Sequence, residues 1–360
     1  MDILKKIICF LLVSCFLAVH AQQSAPTYEN RVTLVYNSIY RFFYDSSARL
    51  FIETNIKSSN EKPHAYLWPL CAFIQAANEM ERLQPGKNYM EPVMHAIGEY
   101  RSNKPPVPGY DSYVVKEGGG DRFYDDNQWI AIAYLDAYER TGRKQFVQSA
   151  REIYRFMMSG YDTASGGGLY WKENDKATKN TCSNGPGILI ALRLYQATKQ
   201  KTYLDTALLL YEWTNKYLLA PEGVYYDNIK LPGGHINKHF YTYNTGTMLE
   251  SNVLLYRITH DKKYLQEAQR LAAASLSAFY KEGSFPSNYW FNAVLLRAYV
   301  ALYEADGNNV YIQAMINDLD KKWQTDMDEN NLAGPGKAKK LLDQAGLLEM
   351  VARIAFFQKK

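Results

Sequence analysis

A chain of 360 residues that is 47% apolar and 22% charged can bury a large core, which excludes disordered, collagen-like, coiled-coil and polytopic membrane classes. Its formal net charge of +4 comes from Lys and Arg scattered along the chain, with no run to track a phosphate backbone, so nucleic acid is excluded as a partner. The aromatic fraction is 14%, with 30 Tyr, many beside Gly and Asn; amphipathic rings in loops suit stacking on sugars or bases.

At the N-terminus, Lys5 and Lys6 precede the apolar run Ile7 to Val19, and Val19-His20-Ala21 sets small residues where a signal peptidase reads. Residues 1–21 are therefore read as a signal peptide, and the mature chain is expected to begin at Gln22. The run is shorter than the ~20 apolar residues that a membrane span needs, so no span is expected. Leu12-Val13-Ser14-Cys15 also resembles a lipobox, which would lipidate Cys15, but apolar residues follow Cys15 where a lipoprotein turns polar. Either way the protein is expected to be exported, to the periplasm, the cell surface or the medium.

Helical periodicity predicts a first group of helices at Tyr28 to Tyr44, Ala65 to Leu83, Tyr89 to Tyr100, Asp126 to Arg140, Phe146 to Met158 and Gly187 to Thr198. A second group follows at Tyr203 to Leu219, Thr245 to His260, Tyr264 to Phe279, Tyr289 to Glu304, Val310 to Trp323 and Leu341 to Gln358. More apolar helices alternate with more polar ones, and strand signals are sparse. A repeat underlies the order: Tyr138, Thr141, Phe146 and Val147 recur as Tyr195, Thr198, Tyr203 and Leu204, then as Tyr256, Thr259, Tyr264 and Leu265, then as Tyr303, Asp306, Tyr311 and Ile312. Each copy reads as a helix end, a tight turn and a helix start.

The repeat recurs at steps of 57, 61 and 47 residues, mostly longer than the ~34 to 47 of tetratricopeptide and HEAT solenoids. The excess lies in Gly118 to Tyr124, Ser165 to Pro186, Gly223 to Tyr243 and Gly283 to Asn288, always between an outer helix and the next inner one. Loops gathered at one end of a closed ring make a cleft, so the predicted fold is all-α, an (α/α)6 toroid or six-hairpin barrel. No composition shift marks a second domain, and residues 22–360 are read as one domain. Removing the leader leaves Cys71 and Cys182, whose pairing the spacing leaves open. No metal site and no cofactor are expected: there is no close Cys/His cluster, and the Gly118–Gly120 and Gly166–Gly168 runs lack the Lys of a phosphate loop. The protein is expected to be a monomer.

The richest stretch is Gly118-Gly119-Gly120-Asp121-Arg122-Phe123-Tyr124-Asp125-Asp126-Asn127-Gln128-Trp129, which sets two adjacent carboxylates at the mouth end of an inner helix. Capping and the helix dipole offer a bland reason for two acids there. Chemistry offers another. Glycosidic cleavage needs one carboxylate as nucleophile or base and one carboxylic acid to protonate the leaving oxygen, and neighbouring acids separate these roles by repulsion. On this reading one acid of the pair ionises easily, helped by the helix N-terminus, while the other is held protonated nearer neutral pH. Side chains one residue apart on a helix point ~100° apart, which suits a retaining pair at ~5 to 5.5 Å slightly better than an inverting pair at ~6.5 to 9.5 Å. Asp121 is a third nearby acid, read as a surface residue.

Tyr124-Asp125-Asp126-Asn127-Gln128-Trp129, Trp68-Pro69, Asn184-Gly185-Pro186 and Tyr241-Thr242-Tyr243-Asn244-Thr245-Gly246 occur in separate segments, and together they resemble glycoside hydrolase family 76. The resemblance covers essentially the whole mature chain. It implies an (α/α)6 barrel, endo-acting α-1,6-mannanase activity on mannan or manno-oligosaccharides and a retaining mechanism, with Asp125 as nucleophile and Asp126 as acid/base. Under it, Tyr170, Trp171, Tyr241 and Tyr243 are candidate stacking platforms, and Asn180, Asn184 and Asn244 candidate partners for sugar hydroxyls. Trp68, Trp129 and Trp290 sit in helical patterns and read as core, Trp68 being placed to reach the cleft floor. Two alternatives remain at this stage: an unsaturated uronyl hydrolase of the same fold, with Arg122 or Lys238 binding the uronate, and a non-catalytic glycan-binding protein.

Overall fold

The computed structural model describes residues 26–359; the expected signal peptide and Cys15 lie outside the described residues. Helices occupy α1 (Tyr28–Phe43), α2 (Leu67–Leu83), α3 (Met90–Gly98), α4 (Tyr124–Thr141), α5 (Lys144–Ser159) and α6 (Thr181–Thr198). They continue with α7 (Lys201–Leu218), α8 (Thr242–Thr259), α9 (Lys262–Phe279), α10 (Tyr289–Asp306), α11 (Val310–Thr325) and α12 (Leu341–Gln358). No described helix is long and apolar enough to cross a membrane.

The sequence repeat is a helix-stopping turn. At the end of α4 Gly142 turns left-handed at φ 70° and donates its N–H to the Tyr138 carbonyl, while the Thr141 hydroxyl accepts the Arg143 N–H at 3.3 Å. The same turn recurs at Tyr195, Thr198 and Lys199, and again at Tyr256, Thr259 and His260. In the fourth copy Asp306 replaces Thr and accepts the Asn308 N–H at 2.9 Å. The left-handed residue reverses the chain at once, so each inner helix hands over to its outer partner through a few residues.

Helices α2, α4, α6, α8, α10 and α12 are buried on nearly every side and pack in that order into an inner ring, closed by α12 against α2. Helices buried all round belong in a core, whereas α5 buries only the stripe Phe146, Val147, Ala150, Ile153, Phe156 and Met157 and lies outside. Each odd-numbered helix covers a neighbouring inner one, which makes the (α/α)6 toroid. Inner helices approach to backbone contact where side chains are absent: a Cβ on Gly346 of α12 would overlap the backbone nitrogen and Cα of Trp290 on α10. Gly346→Ala is therefore expected to lower stability by ~1 to 3 kcal/mol through overpacking, measured as a lower urea midpoint at unchanged slope.

Two parts of the fold differ from the sequence reading. Helices α4, α6 and α8 begin at Tyr124, Thr181 and Thr242, a few residues earlier than expected, so Pro186 lies inside α6 and costs it one internal hydrogen bond. Burial of the first turns among the other inner helices outweighs that cost. The loops also contain strands. Two short hairpins pair β1 (Tyr44–Asp45) with β2 (Leu50–Phe51) and β3 (Arg101–Ser102) with β4 (Gly109–Tyr110). Segments read as loops build an antiparallel sheet in the order β5 (Tyr170–Lys172), β6 (Asp175–Asn180), β7 (Tyr226–Lys230) and β8 (His235–Phe240).

Below the sheet the barrel axis is occupied by charge. Arg297 of α10 donates to both oxygens of Asp136 on α4 at 2.6 and 2.8 Å, to Glu250 on α8 at 2.8 Å and to Gln75 on α2 at 3.1 Å. Arg193 of α6 joins Glu250 at 2.6 Å, and Arg353 of α12 reaches Glu79 on α2 at 3.1 Å. All six inner helices thus contribute to one polar plug, beside a cavity of about 290 Å³.

Candidate active site

Asp125 and Asp126 occupy the first turn of α4, and the rest of their motif explains why the helix starts there. Asn127 exchanges hydrogen bonds with the backbone of Tyr110, accepting at 2.7 Å and donating at 2.9 Å, which ties the preceding loop to the helix. Gln128 donates to the Ser183 carbonyl at 2.8 Å and fixes α4 to α6. Phe123, just before the helix, bridges Lys172 at the end of β5.

Asp125 and Asp126 are 6% and 8% exposed, almost closed off from solvent. Asp125 accepts the Trp171 indole N–H at 3.1 Å on one oxygen and the Asp126 N–H at 3.1 Å on the other, and the Cys182 thiol donates to it as well. Burial pushes the Asp125 carboxyl up to about 6 against these donors. Asp126 is raised well above the usual carboxylate range, by burial first and then by the charge on Asp125. The expectation that one acid of the pair ionises easily is thus corrected: both are raised, because desolvation outweighs the helix N-terminus. Asp125 is the first of the pair to ionise. One anionic and one protonated carboxyl side by side can attack carbon and donate a proton to oxygen in the same step.

Other candidates divide by position. Trp171 is half exposed and touches the pair directly. Tyr241 and Tyr243 lie at the start of α8; Tyr243, stacked on Phe291 at 4.1 Å and bonded to Cys182, stands beside Asp125, and Tyr241 packs against Tyr243. Asn180 closes β6 with its side-chain oxygen buried and free of protein partners. Asn244 is fully buried, so against expectation it is not open to a sugar hydroxyl, and both its amide atoms lack protein partners. Asn184 is a structural residue: its amide binds the backbone of Leu169 in both directions at 2.8 and 3.2 Å and the Asn180 carbonyl at 2.8 Å. Tyr170 turns to the opposite face from Trp171 and is buried on Tyr124 and Phe156, with its hydroxyl on Asp162, so it wedges the sheet onto the barrel.

Four residues near the pair carried no site assignment from sequence. Cys182 and Cys71 are both free thiols that flank the pair, Cys71 donating to the Asp126 carbonyl at 3.1 Å. Phe291 continues the aromatic wall to Trp68, with ring centroids 5.9 Å apart. Asp227 on β7 is a third carboxylate of the cleft, close enough to raise Cys182 and Tyr243 by its charge, and accepts from Asn228 at 2.8 Å and Asn237 at 2.9 Å. The Pro232-Gly233-Gly234 turn between two polar segments was the available signal for the β7–β8 hairpin that carries it.

Arg122 and Lys238 do not form a uronate site. Arg122 is buried and engaged by Glu173, and Lys238 stands on exposed β8 over the Tyr226 ring.

Comparison with known proteins agrees with this fold. A GH76 α-mannanase of Bacteroides thetaiotaomicron superposes with a TM-score of 0.86 over 93% of this chain and 97% of its own, at 23% identity. An α-1,6-mannanase of Salegentibacter sp. HEL1_6, inactivated by replacing two consecutive aspartates and bound to α-1,6-mannotriose, superposes at 0.79 over 91% and 99%, at 22% identity. A mannan endo-1,6-α-mannosidase of Saccharomyces cerevisiae is 30% identical over 44% of this chain and 39% of its own. The curated relatives are longer proteins, of which the aligned regions span 34% to 60%. Residues 27–288 match the profile of glycosyl hydrolase family 76. An Asp-Asp pair in the mouth of a six-hairpin barrel, together with that match, places this chain in glycosyl hydrolase family 76.

Proposed function

We propose that the protein is an exported endo-α-1,6-mannanase that cleaves mannan backbones with retention, residues 22–360 acting as one monomeric catalytic unit without a cofactor. The carrying observation is the buried Asp125–Asp126 pair, unequal in acidity, beside the indole of Trp171 and the packed rings of Tyr243, Tyr241 and Phe291. The names of the Saccharomyces and Salegentibacter proteins support the linkage, and the two aspartates replaced in the latter support the pair.

Asp125 attacks the anomeric carbon while Asp126 gives its proton to the leaving glycosidic oxygen, so the C–O bond breaks as the mannosyl ester forms. Asp126, now a carboxylate, takes a proton from water, whose oxygen displaces Asp125 and restores the starting α configuration. Asn180 binds hydroxyls and the rings line the groove, while Asn184, Asn244 and Tyr170 support it from behind.

Digestion of linear α-1,6-mannan followed by NMR tests this reading. The expected result is a mixture of oligosaccharides at early times whose new reducing ends appear first as the α anomer. First-formed β anomer, or no new reducing ends, would overturn it. Unsaturated uronides are expected not to react, because Arg122 is spent inside the fold.

The pH profile follows from the pair. Activity needs Asp125 ionised, so kcat/KM rises with pH through about 6 and falls at higher pH as Asp126 loses its proton. Both limbs are macroscopic properties of the coupled pair. A maximum below pH 5 in a kcat/KM titration would contradict this order.

A further inference from the structure

Trp171 is a half-exposed ring on a three-residue edge strand, yet it delivers its indole N–H to Asp125. An exposed side chain on so short a strand needs a reason to hold one orientation, and the reason lies outside the cleft. Arg122 donates through Nε to Glu173 at 2.7 Å and through Nη2 to its other carboxylate oxygen at 2.5 Å. The remaining donors meet the carbonyls of Val107 at 2.8 Å, Lys104 at 3.2 Å and Pro105 at 3.3 Å. All five guanidinium N–H groups are thus used in a buried fork. The Glu173 N–H returns to the Arg122 carbonyl at 2.9 Å, Phe123 bridges Lys172, and the Phe123 and Trp171 rings lie 4.9 Å apart. Residues 122–123, which lead into the helix carrying Asp125, are thereby zipped to residues 171–173, which carry the indole.

We infer that the Arg122–Glu173 ion pair is a positioning device that holds the Trp171 indole on Asp125 and so keeps the nucleophile charged and oriented for attack. This rests on Asp125 being the nucleophile. A hydrogen bond to the anion favours the ionised form, so loosening the fork raises the pH at which Asp125 becomes active without touching substrate.

The test is the pH dependence of kcat/KM on α-1,6-mannan for the full chain carrying Trp171→Phe, Glu173→Gln or both. Trp171→Phe is expected to move the acid limb up by about one pH unit, from the typical strength of a hydrogen bond to a charged group. Glu173→Gln is expected to move it the same way, and the double variant no further than Trp171→Phe alone, because the two act in series. Glu173→Asp keeps the buried charge paired and secures a folded protein; it is expected to give a smaller shift of the same sign. An acid limb unmoved in Trp171→Phe, or one moved there but not in either Glu173 variant, would overturn the inference. Asp125→Asn assayed in parallel separates the two levels: full activity in it would remove the underlying mechanism, whereas its inactivity with an unmoved limb in the other variants would remove only the positioning role.

Discussion

Asp125→Asn and Asp126→Asn are each expected to lower kcat/KM on α-1,6-mannan by ~10³-fold or more, since each removes a proton-transfer or nucleophilic role that typically contributes ~10² to 10⁴-fold. The losses should not add in the double variant, because either residue alone disables the same step. Stability should move the other way. Both carboxyls are held protonated above the value of a free aspartate near ~3.9, so the folded state binds more protons than the unfolded chain. Such groups cost stability as pH rises beyond that value. Both Asn variants are therefore expected to melt at or above the wild-type temperature at pH 7. A calorimetric scan beside the assay separates lost chemistry from lost fold, and wild-type turnover in either variant would end the mechanism.

Arg297→Ala is expected to have the largest effect on stability, ~3 to 5 kcal/mol, because it leaves Asp136 and Glu250 buried with part of their compensation gone. Its pH dependence carries the argument. In the wild type both acids are lowered despite burial, by the charges of Arg193 and Arg297. Their contribution is present above the unfolded values near ~4 and is lost only as pH falls through the lower folded values. Without Arg297 burial dominates and penalises the charged forms, so the gap between variant and wild type should be widest near pH 7 and narrow toward pH 4. Urea unfolding at both pH values measures this, and a constant gap would show that lost packing, not charge, is the cause. Catalysis should survive in the folded fraction, because Asp136 lies three turns along α4 from Asp125, roughly 16 Å.

Much of this architecture was legible because it is local. The Tyr/Thr turn needs only a left-handed residue and a hydroxyl or carboxylate two positions before the N–H it accepts, so Thr141-Gly142 and Asp306-Gly307 mark helix ends with no reference to the rest of the fold. Periodicity separated the inner helices from the outer, and the ring followed from the lengths of the loops. The Asp125–Asp126 pair stood out for a similar reason: two adjacent acids in a first turn are visible in one dimension.

What escaped was non-local. β6 pairs with β7 across α6 and α7, joining Lys179 to Ile229, and the segment Asp175–Asn180 has no apolar alternation to announce a strand. Asp227 was invisible as a site residue for the same reason. Asn184 and Tyr170 had the right composition for sugar contacts, but packing gave their polar atoms to Leu169, Asn180 and Asp162 instead.

Sequence alone determined the helical hairpins, their count around the ring and the carboxylate pair, because each depends on interactions within a few turns of chain. Only the tertiary structure decided which acid ionises first and by how much, since that rests on burial and on donors arriving from Trp171 and Cys182 in other loops and helices. Desolvation belongs to the assembled interior, and no stretch of sequence carries it by itself.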